Sequence, residues 1–598
     1  MHLTTLDWII VAVSLGITFV PAILLARRGG RNTAEFFAAG RAAPWWLIGI
    51  SLVATTFSTD TPNLVTNLVR TGGVAQNWLW WSFLLTGMAT VFFYARLWRR
   101  SGVLTDLEFY ELRYSGKAAS FVRGFRSIYL GFFFNIMILA SVNLAAAKIA
   151  AVLFGLPEWV TLLSCGAVPI IFAATAGLWG VMVTDTLQFC ITMSSAFAAA
   201  YYALQAPAVK ALGGLHGLIE HLARVAPQKL SILPDFSNWG VTLSIFIIPL
   251  TVQWWSVWYP GAEPGGGSYV AQRMLAARRE RDALWGTLLF QVMHYALRPW
   301  PWIIVALASM VVYPTVGDIH ARFPLVQSHL LGNDIAYPAM LVFLPAGWAG
   351  FMVAGLFAAY RSTVESHLNW GTSYLVHDFY RRFINGEASE RHYVLVGRFV
   401  TAGIMICAIA FTFVLQTAQQ TFELILSIGA GTGLIYLLRW FWWRINAWSE
   451  VSAMISSLLI SLGFAVAARL GASVDPTTQL LATVGFTTVV WVATTYLTRP
   501  VDRVTLERFY ALVRPAGWGW RRVRDAAGLP ASPDSLANSL LAWSLGVLGV
   551  YSALFGTGAL VYGHPLQGWL GVGIAVGSLG WMLRIAGQHW TSAHYTQD

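Results

Sequence analysis

Oxygen-bearing side chains gather at two places in this chain where the surrounding residues are apolar. In residues 51–63, Ser51, Thr55, Thr56, Ser58, Thr59 and Thr61 bring six hydroxyls and Asp60 a carboxylate. Pro62 removes a backbone donor and disfavours helix just before it. Carbonyls freed at such a break can bind a cation only where they face protein or a cavity rather than lipid. The plainer reading is a proline kink whose hydroxyls bond back to the helix. The second place is residues 358–369. There Ala359, Ser362 and Thr363 stand at i, i+3 and i+4 and share one helix face. They offer a carbonyl and two hydroxyls, hard neutral oxygens of the kind an alkali cation accepts. Arg361 and Glu365, at i and i+4, lie on another face and can pair. Ionisable groups at membrane depth are costly and point to function; the alternative is a pair that only fixes helix packing. His367 reads as a packed or hydrogen-bonded residue, because no partner at metal-ligand spacing accompanies it.

A third stretch holds Pro249, then Trp254, Trp255 and Trp258, then the glycine-rich residues 260–267. Pro249 is a candidate helix break. The tryptophans read equally as a solute-stacking platform or as an interfacial aromatic belt. The glycine run lacks the Lys-Ser/Thr of a phosphate loop. Cys165, Cys190 and Cys407 all fall inside apolar runs and are expected to be small core residues, not a disulfide framework or metal site.

The elements that must position these groups are membrane helices. Hydrophobic residues make up 57% of the 598 positions and charged residues 11%, where a soluble domain carries about 25% charged residues. Apolar runs long enough to cross a bilayer recur throughout. We count about fifteen transmembrane spans: 7–26, 44–69, 75–98, 128–153, 158–176, 181–204, 240–258, 284–313, 340–377, 392–415, 420–438, 445–470, 479–497, 540–561 and 566–584. The start of the chain lacks the basic region of a cleaved signal peptide, so the first run is expected to remain as a helix.

The formal charge is +11, but its distribution argues against a nucleic-acid partner, and no zinc-knuckle or helix-turn-helix signature is present. Arginines gather in alternate loops, after Ala26, between 98 and 128, before 284, between 377 and 392, after 438 and after 497. Fifteen alternating spans put all of them on one side, so the expected orientation has the N-terminus outside and the C-terminus cytoplasmic. The basic stretch 499–524 reads as a cytoplasmic linker lying on anionic lipid or as a regulatory segment.

Five motifs now stand in order: Glu35 to Arg41 (EFFAAGR), Pro44 to Thr55 (PWWLIGISLVAT), Gly177 to Gln188 (GLWGVMVTDTLQ), Gln272 to Ala277 (QRMLAA) and residues 358–369. Together they resemble the sodium/solute symporter family over roughly residues 7–445. The resemblance implies an all-α integral membrane protein with a leucine-transporter-like core of 5+5 inverted repeats after one extra helix. Residues 1–43 would be that helix and its loop. The transport core would be 44–440, with repeats at about 44–205 and 240–440. Two peripheral spans (441–498), a basic linker (499–538) and two final spans with the tail (539–598) would follow. The broken helices would be spans two and seven, at Pro62 and Pro249. The resemblance also implies Na⁺ as coupling ion, held by the carbonyls of Ala54, Phe57 and Ala359 and the hydroxyls of Ser362 and Thr363, with Asp185 on a cation pathway.

The function so implied is a secondary active symporter in the inner (plasma) membrane. It would couple Na⁺ influx to uptake of a small polar organic solute by alternating access, and it is not an enzyme. Solute-contact candidates are Thr59, Asp60, Thr61, Asn77, Trp78 and Trp81, with Trp254, Trp255 and Trp258. Arg361 and Glu365 depart from the family pattern and join Asp185 as coupling candidates. Three alternatives stay open: proton coupling, sodium-independent transport of an anionic solute paired with Arg361, and a transporter-like membrane sensor. An integral-membrane enzyme using Asp60 or His294 is disfavoured by the lack of a triad, metal cluster or nucleotide loop. Neither the solute nor the oligomeric state is set by the sequence.

Overall fold

The computed structural model of the chain describes residues 3–29, 33–415, 418–472 and 474–590. Among these residues the regular structure is helical, joined by two isolated β-bridges, Ala43 with Ala277 and Val257 with Ala430. Nine of the helices are long and apolar enough to cross a membrane, and three shorter apolar helices accompany them. In chain order we label α1 (Thr5–Gly29), α2 (Trp45–Thr55), α3 (Asp60–Gly72), α4 (Val74–Ser101), α5 (Gly116–Phe154), α6 (Glu158–Leu204), α7 (239–256), α8 (Ser268–Ala276) and α9 (Glu280–Val312). There follow α10 (348–384), α11 (Glu390–Thr412), α12 (Ala418–Gly429), α13 (Gly433–Leu438), α14 (Ala447–Arg469), α15 (Pro476–Leu497), α16 (Arg503–Val513), α17 (Leu536–Val561) and α18 (Pro565–Trp590).

The core is a bundle in which α6 and α10 lie side by side, with α1 and α2 against α6 and α9 against α2. Helix α5 lies along α11, while α14 with α15 and α17 with α18 form two outer hairpins. Helix α6 covers two of the expected spans and is interrupted at Gly177, whose backbone (φ 60, ψ −171) is non-helical. The first turn of α10 is capped from far away: Asp7 Oδ1 accepts from the amides of Gly347 and Gly350, both at 2.7 Å. Gly350 makes the approach possible, since a Cβ there would stand 2.5 Å from Asp7 Cα.

Two helices are broken, and only one breaks next to its expected proline. Residues 56–59 separate α2 from α3, and Pro62 sits in the first turn of α3, where its missing N–H costs nothing. In the second case the gap is 257–267, after the tryptophans. Pro249 stays inside α7, where wide π-type turns over Leu243–Ile247 and Pro249–Gln253 absorb the lost donor. The glycine-rich stretch is therefore the unwound segment itself. Gly265 and Gly266 have φ of 77° and 75°, a region open to glycine. The gap is pinned by Trp258 N to Gly429 O (3.0 Å), Gly431 N to Ser256 O (2.8 Å) and Trp98 Nε1 to Gly265 O (2.8 Å).

Several arginines expected in loops are inside the protein. Arg273 lies on α8, and Arg113, Arg126 and Arg439 are buried with it. The basic linker is likewise held to the core: Asp534 pairs with Arg96 and with Arg100 (3.2 Å), and Trp520 Nε1 donates to Trp440 O at 2.7 Å. The three cysteines are free; Cys190 is exposed on its helix, whereas Cys165 and Cys407 are half-buried, so Cys190 is not the core residue expected.

Candidate cation and solute site

At the gap between α2 and α3 the freed carbonyls are taken up by side chains. Arg298 of α9 donates through Nη2 to Thr56 O (2.7 Å) and through Nη1 to Val53 O (3.2 Å) and Thr56 Oγ1 (2.8 Å). Its guanidinium also lies 5.1 Å from the ring centroids of Phe57 and Trp302, a cation–π seat for a buried charge. Thr363 Oγ1 of α10 donates to Thr55 O at 2.8 Å, which binds α10 directly onto the break. Ala54, Phe57 and Ala359 belong to one buried cluster beside that contact.

Asp185 of α6 completes the polar centre. Ser362 Oγ donates to its Oδ1 (2.6 Å) and Ser51 Oγ to its Oδ2 (2.5 Å). Arg273 donates to Ser366 Oγ at 2.6 Å and reaches Ser51 Oγ at 3.3 Å. Arg361 and Glu365 form a buried ion pair at 2.5 Å, with Arg361 also donating to Thr18 Oγ1 of α1 at 3.3 Å. Three buried guanidiniums (Arg273, Arg298, Arg361) thus share the bundle with two buried carboxylates (Asp185, Glu365) and the half-buried Asp60. A hydroxyl holds one donor and two acceptor lone pairs. Ser362 and Thr363, now donating to Asp185 and Thr55, keep lone pairs available to a hard cation, which takes oxygen ligands. Among the described residues no group of three His, Cys, Asp or Glu side chains could hold a metal ion.

Beside the break lies a cavity of about 100 Å³. Its polar lining includes Thr56, Ser58, Asp60, Thr61, Ser141, His294 and His367. Asp60, the first residue of α3, accepts from Ser58 in the gap and from Ser141 of α5 at 3.2 Å. The walls are aromatic, with Trp80 stacked on Tyr295 (24° between planes) and Phe83 on Tyr259 (7°). Among the described residues no arginine or lysine lines the cavity, although Arg298 reaches two lining groups from behind, Thr56 Oγ1 and His294 Nδ1, both at 2.8 Å.

The expected solute residues divide. Asp60 and Thr61 line the cavity, whereas Thr59 points away and donates to Val142 O at 3.0 Å. Asn77 holds Trp80 by accepting from its Nε1 at 2.9 Å. Trp78 and Trp81 pack on each other and on Phe555 of α17. Trp254 of α7 faces Trp543 of α17, Trp255 donates to Thr251 O, and Trp258 packs on Phe134. The polar and aromatic cavity residues that the sequence did not single out include Ser141, Phe83, Tyr259, Tyr269, Tyr295 and Phe422. Their one available signal was a polar or aromatic group inside an apolar run.

An ion cluster closes one end of the bundle where the α4–α5 loop meets α10. Arg123 bridges Glu111 (2.6 Å) and Asp378 (2.8 Å), and His377 Nε2 stands 2.6 Å from Glu108 Oε1. Burial by itself would raise the Glu108 pKa. The hydrogen bond and charge of His377, the Leu104 amide and Arg123 outweigh it and hold the carboxyl at about 2.

Comparison with known proteins gives a consistent result. The profile of the sodium:solute symporter family matches residues 36–458. A sodium/glucose cotransporter of Vibrio parahaemolyticus is 25% identical over 451 residues, covering 72% of this chain and 79% of its own. A sodium/mannose cotransporter of Bos taurus is 25% identical over 495 residues, with coverages of 77% and 78%. The solved structure of a Na⁺-coupled sialic acid symporter superposes with a TM-score of 0.66 at 18% identity, over 83% of this chain and 99% of that one, a likeness of fold.

Proposed function

Because this chain belongs to the sodium:solute symporter family, we propose that it couples sodium influx to uptake of a neutral polyhydroxylated solute of the monosaccharide class. Family membership makes it a multi-pass membrane transporter driven by Na⁺ and carrying a small solute, not an enzyme. The solute class rests on one observation: the cavity beside the first break presents a carboxylate, hydroxyls and stacked aromatic rings, and no cationic side chain. Aromatic faces suit the C–H face of a sugar ring, and a carboxylate accepts from its hydroxyls. An anionic solute meets no guanidinium in the lining itself: Arg298 stands behind Thr56 and His294, bonded to both at 2.8 Å, and Arg361 is paired with Glu365 and bonded to Thr18. The relatives named for glucose and mannose agree with this class.

In this reading Na⁺ sits between the Ala54 and Phe57 carbonyls on one side and Ala359, Ser362 and Thr363 on the other. It bridges the broken helix to α10 and favours the arrangement that receives solute. Coupling follows if each ligand binds one arrangement more tightly than the other. Each inward charge contributes about 2.3 kcal/mol per 100 mV. Asp60 and Thr61 contact solute, Asp185 lies on the cation path, and the Arg361–Glu365 pair ties α10 to α1. Fifteen spans, a 5+5 repeat over 44–440, the outer segments 1–43, 441–498, 499–538 and 539–598, and a cytoplasmic C-terminus in the plasma membrane belong to the same proposal. The test is accumulation of radiolabelled glucose, galactose and mannose in proteoliposomes under an inward Na⁺ gradient, with sialic acid and proline for comparison. Binding without sodium-driven accumulation sinks the symporter reading. Accumulation of an anion in preference to every sugar sinks the solute class.

A further inference from the structure

A second cavity, of about 690 Å³, lies away from the solute cavity, between α4, α13, α15, the linker at 516–519 and α17. Phe93, Trp254, Leu437, Trp442, Leu540 and Trp543 form its walls. The nearby polar groups are already used: Trp543 Nε1 donates to Leu85 O at 2.9 Å and Tyr94 OH to Leu437 O at 3.2 Å. A buried water needs two to four polar partners, so these walls suit hydrocarbon better than water.

The rim is different. Trp518 and Tyr496 are 78% and 64% exposed, and both line the cavity. Arg444 donates to the carbonyls of Tyr496 (3.4 Å) and Thr498 (2.8 Å), while its Nη1 is buried without a hydrogen-bond partner among the described residues. Arg522 lies 5.2 Å over the ring of Trp443, whose amide bonds to Gly519 O on the cavity wall. Exposed Trp and Tyr mark headgroup level, and arginines beside them match an anionic headgroup.

We propose that this cavity holds one acyl chain of an anionic phospholipid, whose phosphate is received by Arg444 and Arg522. Its place in a membrane rests on the family reading; its ligand does not depend on the solute. The inner wall gives the site a purpose. Trp254 stands just before the 257–267 gap, and its carbonyl accepts from Thr86 of α4. The lipid therefore wedges α17 and the basic linker against the hinge of the second broken helix, and its occupancy biases that hinge.

The full-length protein in nanodiscs of phosphatidylcholine is exposed to phosphatidylglycerol carrying a diazirine on its acyl chain, and the labelled peptides are mapped. Labels are expected on 437–442 and 516–543 well above those on α14 and α18. Arg444→Gln with Arg522→Gln should lower them by about threefold or more. Ala516→Phe, which narrows the cavity, should lower them further, and Leu540→Trp serves if that variant does not fold. Even labelling over all lipid-facing helices overturns the proposal. So does equal labelling by phosphatidylcholine or a free fatty acid with the same photoactive chain, or indifference to both narrowing variants. Sodium-driven uptake by the same protein is read separately. Lost uptake with intact labelling counts against the symporter reading alone, and even labelling with intact uptake counts against the lipid site alone.

Discussion

The two broken helices solve one problem in opposite ways. The first gap is four residues long (56–59) and its carbonyls are held by side chains brought from other helices, Arg298 and Thr363. The second gap is 257–267 and is held largely by backbone, through the paired amides and carbonyls of Ser256, Trp258, Gly429 and Gly431. Side-chain donors can rotate away and let an ion or solute take their place. A backbone ladder cannot be exchanged without moving a helix. In the proposed mechanism the first gap is therefore the binding site and the second the hinge.

The hinge is the place to break first. Gly266→Val puts a β-branched residue at φ 75°, with its Cβ 2.8 Å from Met274 Cε and 3.1 Å from Trp98 Nε1. A loss on the order of 3 kcal/mol is expected, read as collapse of the monodisperse peak on heating in detergent. A variant as stable as wild type would remove the hinge side of the comparison. At the first gap, Ser362→Ala with Thr363→Ala should raise the Na⁺ concentration for half-maximal uptake by about tenfold, near 1.4 kcal/mol. An unchanged Na⁺ dependence in a well-expressed variant means the cation sits elsewhere.

Asp60→Asn sharpens the assignment of solute and ion within that gap. The solute KM should rise several-fold, on the order of 1 kcal/mol for one hydrogen-bond acceptor, with the Na⁺ dependence kept. If the Na⁺ dependence moves instead, Asp60 belongs to the ion. The ion cluster at the bundle end gives a pH effect. The Glu108 pKa lies below its ordinary value, so its stabilisation is complete above about 4.5 and fades as pH falls toward 2. Melting temperatures of wild type and Glu108→Gln should differ at pH 6 and converge as the buffer is taken down to pH 3. The smallest effect belongs to Trp255→Phe. Its indole bonds within its own helix to Thr251, off the cavity, so a change in solute KM below about twofold is expected, as for substitutions away from a site. A tenfold change would restore the tryptophan platform.

What the sequence disclosed follows the physics of each signal. Run length located the apolar segments, because a bilayer imposes it. The polar cluster 51–63 located the first gap, since hydroxyls and a proline in an apolar run mark either a break or a kink. The second gap was misplaced at Pro249, because a proline announces a missing donor but not whether a wide turn will absorb it. The glycines at 265 and 266 carried the stronger message, through their backbone angles. The tryptophans misdirected the search for solute contacts, since a large aromatic packs equally well on a neighbour such as Phe134 or Phe555. Tyr259, Tyr295 and Ser141 come from three different segments, and only the fold brings them to one cavity. The burial of Arg273 and Arg298 was also illegible, because a partner such as Asp185 or a freed carbonyl at Thr56 exists only once the helices have met.

The cap that Asp7 places on α10 sets a timetable for assembly. Asp7 and Gly347 are 340 residues apart, so the first helix leaves the ribosome long before its partner is made. Until α10 arrives, Asp7 is held only by its own first turn, Oδ2 accepting from Thr4 N and Oγ1 at 2.8 and 2.7 Å, and the amides of Gly347 and Gly350 lack the Oδ1 acceptor they have in the finished fold. The long-range half of the cap forms only after most of the bundle has been threaded. Closing that contact is therefore a late event, and a chain halted short of residue 347 leaves Asp7 Oδ1 without its two amide donors.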